Sequence, residues 1–280
     1  MSADTGRATG SAMNAAVNRA AAPWQAFAVV QPDWPVPARV RGFVSGRAGG
    51  VSAGAWGLDG DLPGGLNLGA HCGDRPEAVA ENRRRLAATL PSAPLWLQQV
   101  HGVAVHRAAA SAAASEPVAD AAVTDRPGVV LAVLTADCLP VFVADAQGRA
   151  VGVAHAGWRG LAGGVVENTV VSLRALLPAD AVIHAWLGPA ISQTAFEVGD
   201  EVRAAFLARN GAAATAFRPG VRPGKWQADL YALARIALSA LGVAEVGGGG
   251  LCTFADTRRF WSYRRHAVGG RMASLLWIER

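Results

Sequence analysis

Apolar positions along the chain gather in short runs separated by Gly, Pro and charged residues, the spacing of strands and short helices. VVLAVLT (129–135), LPVFVAD (139–145) and AVGVAHA (150–156) are almost unbroken apolar runs, which predicts strands covered on both faces. VPARVRGFVSGR (36–47) predicts a strand entering a turn at Ala48-Gly49-Gly50, and VIHAWLG (182–188) predicts another strand. In 74–90 the residues Val79, Leu86 and Leu90 share one face. Asp74, with Glu77 three positions on, reads as a capping box, so a helix is predicted there. Further helices are predicted over 158–177 and near 197–209 and 227–241. The stretch 95–106 predicts a strand broken at Gly102, while 52–66 and 108–122 predict loops rich in small residues. Segments 252–265 and 271–279 predict two more strands. Strands and helices mix without the alternation of a doubly wound sheet. The expected class is α/β or α+β, with a mixed sheet and helices outside it.

Composition narrows the biology. With 280 residues, 51% of them hydrophobic and 17% charged, the chain can bury a sizeable core. Residues 1–22 read as an Ala/Ser/Thr-rich tail without an apolar signal region, and 23–280 as a single domain with neither repeat nor linker. No apolar run approaches the ~18 residues of a membrane span. Three cysteines make no disulfide framework, and a cytoplasmic location is expected. The formal charge is +5, and every cation except Lys225 is Arg. These arginines are dispersed apart from Arg83-Arg84-Arg85 on the predicted helix, so nucleic acid is not an expected partner. No membrane or obligate protein partner is expected either. A small anionic or polar molecule fits the pattern better.

The candidate chemistry starts with Cys138 and His155. If 138–144 and 149–155 close around Asp145-Ala146-Gln147-Gly148, Cys138 stands directly opposite His155, with Cβ atoms ~4.5–5.5 Å apart. A one-residue change in that loop would put them on opposite faces. Such a pair can join a second His around Zn²⁺ and leave a position open for the reactant. Alternatively His155 can activate Cys138 as a nucleophile, or the two can be a buried thiol beside a core imidazole. Asp137 adjoins Cys138. His155 leads into Ala-Gly-Trp-Arg-Gly (156–160), a strand-to-helix turn where Arg159 can add a charged fork for an anion. His101 is the natural third ligand, and His71 is placed to contact substrate. His106, His184 and His266 lack partners nearby in sequence, and Cys72 and Cys252 have no support as nucleophiles.

Seven ordered motifs add a resemblance. They are Asn-Leu-Gly-x-His-x-Gly-Asp (67–74), Gln-x-Val-His-Gly (98–102), Thr-Ala-Asp-Cys-Leu-Pro (135–140) and His-Ala-Gly-Trp-Arg-Gly (155–160), then Leu-Gly-Pro-Ala-Ile (187–191), Ser-Tyr-Arg-Arg (262–265) and Gly-Arg-Met-Ala-Ser (270–274). Over about 36–280 the chain resembles the YfiH-type laccase-domain family, once named multicopper polyphenol oxidases and later described as purine nucleoside phosphorylases. The resemblance implies an α-β-β-α sandwich-like fold and one zinc ion on His101, Cys138 and His155. It implies phosphate-dependent cleavage of adenosine, inosine, guanosine and methylthioadenosine, together with adenosine deamination. Asn67, His71 and Arg47 match pocket positions. A second activity linked to the family is peptidoglycan editing, the removal of L-Ser from a nucleotide-linked muramyl precursor. The chain departs from the family pattern in reading Val-Ser before Gly46-Arg47 and in a longer 52–66 loop.

Copper chemistry of the multicopper kind is excluded by counting. A blue-copper site plus a three-copper cluster needs about ten His, and the chain has six.

Overall fold

The computed structural model describes residues 22–59, 62–109 and 116–280; the expected tail falls, but for Ala22, outside them. Strands are numbered along the chain. A six-stranded sheet runs in the order β13 (Glu245–Gly248), β9 (Ile183–Leu187), β7 (Leu139–Asp145), β8 (Val151–Ala156), β5 (Ala121–Thr124) and β4 (Val105–Arg107). A four-stranded sheet runs β1 (Ala28–Val30), β2 (Val40–Ser45), β14 (Met272–Ile278) and β6 (Leu131–Thr135). A small sheet joins β10 (Glu197–Gly199), β12 (Lys225–Ala228) and β11 (Phe217–Pro219), and β3 (Ala48–Ser52) follows β2. The helices are α1 (Pro76–Ala87), α2 (Trp158–Gly163), α3 (Val165–Arg174), α4 (Asp200–Leu207) and α5 (Leu230–Ala240).

The unbroken apolar runs follow from the layering. On β7, Val141 and Val143 pack toward α3 and α5, whereas Phe142 and Ala144 pack toward the four-stranded sheet. Both faces of β7 are therefore dry, and every residue of the strand is buried. Phe142 lies 5.4 Å from the Trp186 ring between the sheets; a fully buried ring of that size contributes roughly 2–3 kcal/mol. The outer face of the four-stranded sheet carries Phe43, Leu275 and Trp277 against Trp24 and Leu86 of α1. Layers therefore succeed one another as helix, sheet, sheet, helices, the mixed architecture expected.

Several local expectations are corrected. The helix read from 74 starts at Pro76, and Asp74 does not cap it: its carboxylate receives Ser52 and Asn67 instead. The 158–177 helix is broken by Gly164 at φ 103°, a left-handed turn between α2 and α3. The helix near 197 is preceded by β10, and that near 227 starts only at Leu230, after β12. The turn at 48–50 is already strand β3, and the 108–122 loop ends in β5. Of 95–106 only Val105 onward is a strand; Leu95 and Gln98 make isolated bridges. Segment 252–265 is not a strand. Arg265 collects the carbonyls of Thr253, Phe254 and Phe260 there, folding it back as a chain of turns.

Topology gathers one end of the sandwich. The start of β7 and the end of β8 are neighbours, as are the end of β6 and the start of β14. The ends of these strands, the loops leaving them and the start of α2 hold the residues of the candidate site.

Candidate functional site

The β7–β8 hairpin is offset by two residues from the expected register, because Pro140 rather than Cys138 faces His155. An even offset keeps side chains on the same face, so Cys138 and His155 still converge. Asp137, at φ 87°, turns the chain just before Cys138. Cys138 Sγ and one ring nitrogen each of His101 and His155 all lie within 4.8 Å of one another. Sγ stands 3.9 Å from His101 Nε2, and the two imidazoles meet edge to face with centroids 4.8 Å apart.

Asp120 assembles the group. Its Oδ1 accepts from the His101 amide at 2.9 Å, while Oδ2 accepts the amides of Val100 at 3.1 Å and Gly102 at 2.7 Å. These bonds hold His101 at φ 59°, a strained value for a residue with a side chain. The same Oδ1 lies 2.8 Å from His155 Nδ1. A carboxylate can only accept, so Nδ1 carries the proton and Nε2 is left for the centre. Asp120 falls within the 108–122 stretch of small residues, and its one signal in the sequence is a lone acid directly before a strand.

Charge follows from this packing. Burial works to raise the Asp120 carboxyl, but the His155 hydrogen bond and the Gly102 and Val100 amides hold it below the usual range. Burial opposes ionisation of Cys138 as well. The His155 charge and hydrogen bonds from both imidazoles outweigh it and bring the thiol down to about 6. His155, which burial would lower, is raised to about 9 by the Cys138 thiolate and Asp120. The protein without metal thus holds a thiolate beside an imidazolium.

Two imidazoles and a thiolate form a donor set suited to zinc. The cradle is also shaped for the ion. A Cβ at Gly157 would stand 2.9 Å from His101 Cδ2 and 3.1 Å from Cys138 Sγ, so a side chain there would press on two of the donors. These residues fit a single metal ion.

The donors lie in a cavity of about 530 Å³. Three aromatic side chains in its wall each carry a guanidinium. Arg159 lies 4.4 Å from the Trp158 ring centre, Arg264 5.4 Å from Phe196 and Arg271 5.8 Å from Tyr263. His71 also lines it; burial, then the charges of Arg271 and Arg83, hold its imidazole below the ordinary value. Asp137 lies in the wall too. Its carboxylate receives Thr253 Oγ1 at 2.6 Å, Ser262 Oγ at 3.0 Å and the Arg264 amide at 2.6 Å, so the carboxylate that orients a ligand imidazole is Asp120. Two expected pocket residues are not brought here. Asn67 is fully buried, accepting the amides of Gly69 and Arg271. Arg47 lines a neighbouring cavity, bonded to Gly57, Asp59 and Thr257.

Comparison with known proteins gives the family. A purine nucleoside phosphorylase of Pseudomonas aeruginosa is 53% identical over 89% of this chain and 97% of its own. Purine nucleoside phosphorylase YfiH of Escherichia coli is 48% identical over 89% and 98%. Among solved structures, protein NMB0706 of Neisseria meningitidis superposes with TM-score 0.81 at 48% identity, covering 90% of this chain and 99% of that one. YlmD of Geobacillus stearothermophilus gives 0.76 at 30% identity, covering 89% and 94%. Residues 41–279 match the family described as multi-copper polyphenol oxidoreductase laccase, and the chain belongs to that family, in a branch whose relatives are named purine nucleoside phosphorylases.

Proposed function

We propose that residues 23–280 act as one cytoplasmic catalytic domain that cleaves purine nucleosides with inorganic phosphate, using a zinc ion on His101, Cys138 and His155. The observation that carries this reading is the placement of the Cys/His donor group in a cavity whose wall bears Arg159, Arg264 and Arg271. Zinc bound there supplies Lewis acidity at an open position. Arg159, exposed and stacked on Trp158, holds the phosphate; Arg264 and Arg271 add positive potential. A phosphate oxygen bonds to C1′ as the C1′–N bond breaks. The electron pair of that bond leaves with the base, which takes up the proton that the attacking phosphate loses, giving ribose 1-phosphate and the free base. Cationic groups that meet charge growing on phosphate and base lower the barrier. His71, held toward its neutral form, is placed to hydrogen-bond the base. Deamination of adenosine at the same centre, with water as the other reactant, is the second activity proposed.

Purified protein incubated with adenosine, with and without phosphate, tests both. Adenine and ribose 1-phosphate that form only with phosphate support phosphorolysis, and inosine supports deamination. Unchanged adenosine in every arm contradicts the proposal.

One observation favours a second reading. Cys138, His155 and Asp120 form a thiol–imidazole–carboxylate series like that of cysteine hydrolases. An amidase releasing L-Ser from a nucleotide-linked muramyl precursor would use that order directly. Release of L-Ser, assayed directly, selects an amidase, and release that survives complete zinc removal selects its thiolate form over a zinc form.

A further inference from the structure

The wall segment 262–271 separates the metal-bearing cavity from a second one of about 730 Å³. Its charged lining is Arg47, Arg265, Arg271 and Asp59, and His266 joins them. Three guanidiniums thus meet one carboxylate, which is already paired with Arg47 at 3.0 Å. Arg47 is 9% exposed and lies 4.5 Å from the Trp261 ring centre. Its Nε, like Trp261 Nε1, has no acceptor among the described residues. Arg265 donates to the neutral carbonyls of Thr253, Phe254 and Phe260, which leave its charge unbalanced. Burial first, then the charge of Arg47, hold the Arg265 guanidinium below its ordinary value; Asp137, Asp59 and Asp256 act in the opposite sense. The reaction proposed above uses neither Arg47 nor Arg265.

We propose that this second cavity binds a phosphoryl group, either as the free ion or on a phosphate monoester. Guanidiniums from two walls, Arg47 on one and Arg265 and Arg271 on the other, suit an anion with several acceptor oxygens better than a carboxylate. The volume leaves room for the organic part of a monoester. Such a site stands apart from the metal centre and shares only Arg271 with it.

The test titrates the zinc-loaded full chain with inorganic phosphate and, separately, with adenosine monophosphate, by calorimetry and phosphorus NMR. Val268 lines the cavity at 56% exposure, so Val268→Glu, Val268→Gln and Val268→Lys set a negative, a neutral and a positive polar side chain at one exposed position, and charge is the main difference among the three. Saturable binding of at least one probe is expected. Val268→Glu should weaken it about tenfold, Val268→Gln leave it within about twofold, and Val268→Lys tighten it. In Arg159→Ala the binding that responds to position 268 should persist. Saturation by phosphate identifies the free ion, and saturation by the nucleotide alone identifies the monoester. Failure of both probes to saturate overturns the proposal. So does binding lost in Arg159→Ala yet indifferent to charge at position 268. Because no turnover is read, neither result depends on the phosphorylase reading.

Discussion

Asp120 Oδ1 sits 2.8 Å from His155 Nδ1 while accepting the backbone amide of His101, so one carboxylate fixes two of the three metal donors. Asp120→Asn keeps the shape, but in either orientation its NH2 meets groups that themselves donate, His155 Nδ1 and the His101 amide or the Val100 and Gly102 amides. Metal affinity should fall roughly 10–100-fold. Competition with a chromogenic chelator measures this. An unchanged affinity would show that Asp120 does not hold His155 and His101 for the ion.

Gly157→Ala separates the cradle from the fold. Gly157 has φ −63°, which alanine adopts freely, yet the added methyl would press on His101 and Cys138. Thermal stability of the zinc-free protein should change little, while zinc affinity drops. Equal loss of both would mean that the residue serves packing alone.

In the zinc-free protein, Cys138 should carry thiolate absorbance that rises through about pH 6, well below a free thiol. A depressed acid contributes stability that is lost as pH falls through its folded value, here about 6. A raised base loses its contribution as pH rises through its folded value, about 9 for His155. The pair therefore stabilises the zinc-free fold mainly between those limits. Denaturant unfolding across pH should show a shallow maximum that Cys138→Ser removes.

Arg159→Ala should raise the KM for phosphate about 10–100-fold, the loss expected for a charge-assisted hydrogen bond. The KM for nucleoside should move far less. An unchanged phosphate KM would place the anion elsewhere.

Much of this was legible in the sequence because β7 and β8 are buried on both faces and so appear as unbroken apolar runs. Cys138 and His155 came together despite a wrong register, since the error was an even number of residues and parity alone sets the face. Asp120 was not legible. Its role comes from four partners in the 100–102 loop and on β8, none marked by local pattern. Segment 252–265 misled for a related reason. Its Phe, Trp and Tyr carry strand propensity, but Asp137 and Arg265 take up its backbone groups and fold it into turns. Arg47 and Asn67 show the limit of motif matching: one lines a different cavity, and the other braces a wall from behind.

Turnover is proposed to require a single zinc ion held by two imidazoles and a thiolate. Metal content by mass spectrometry, read on the same samples as phosphate-dependent adenosine cleavage, tests it most directly. About one zinc per chain is expected, lost together with activity in His101→Ala, Cys138→Ala and His155→Ala, with activity of the native chain regained when zinc is restored after chelation. Full turnover in a chain stripped of metal, or metal retained by all three variants, would contradict it.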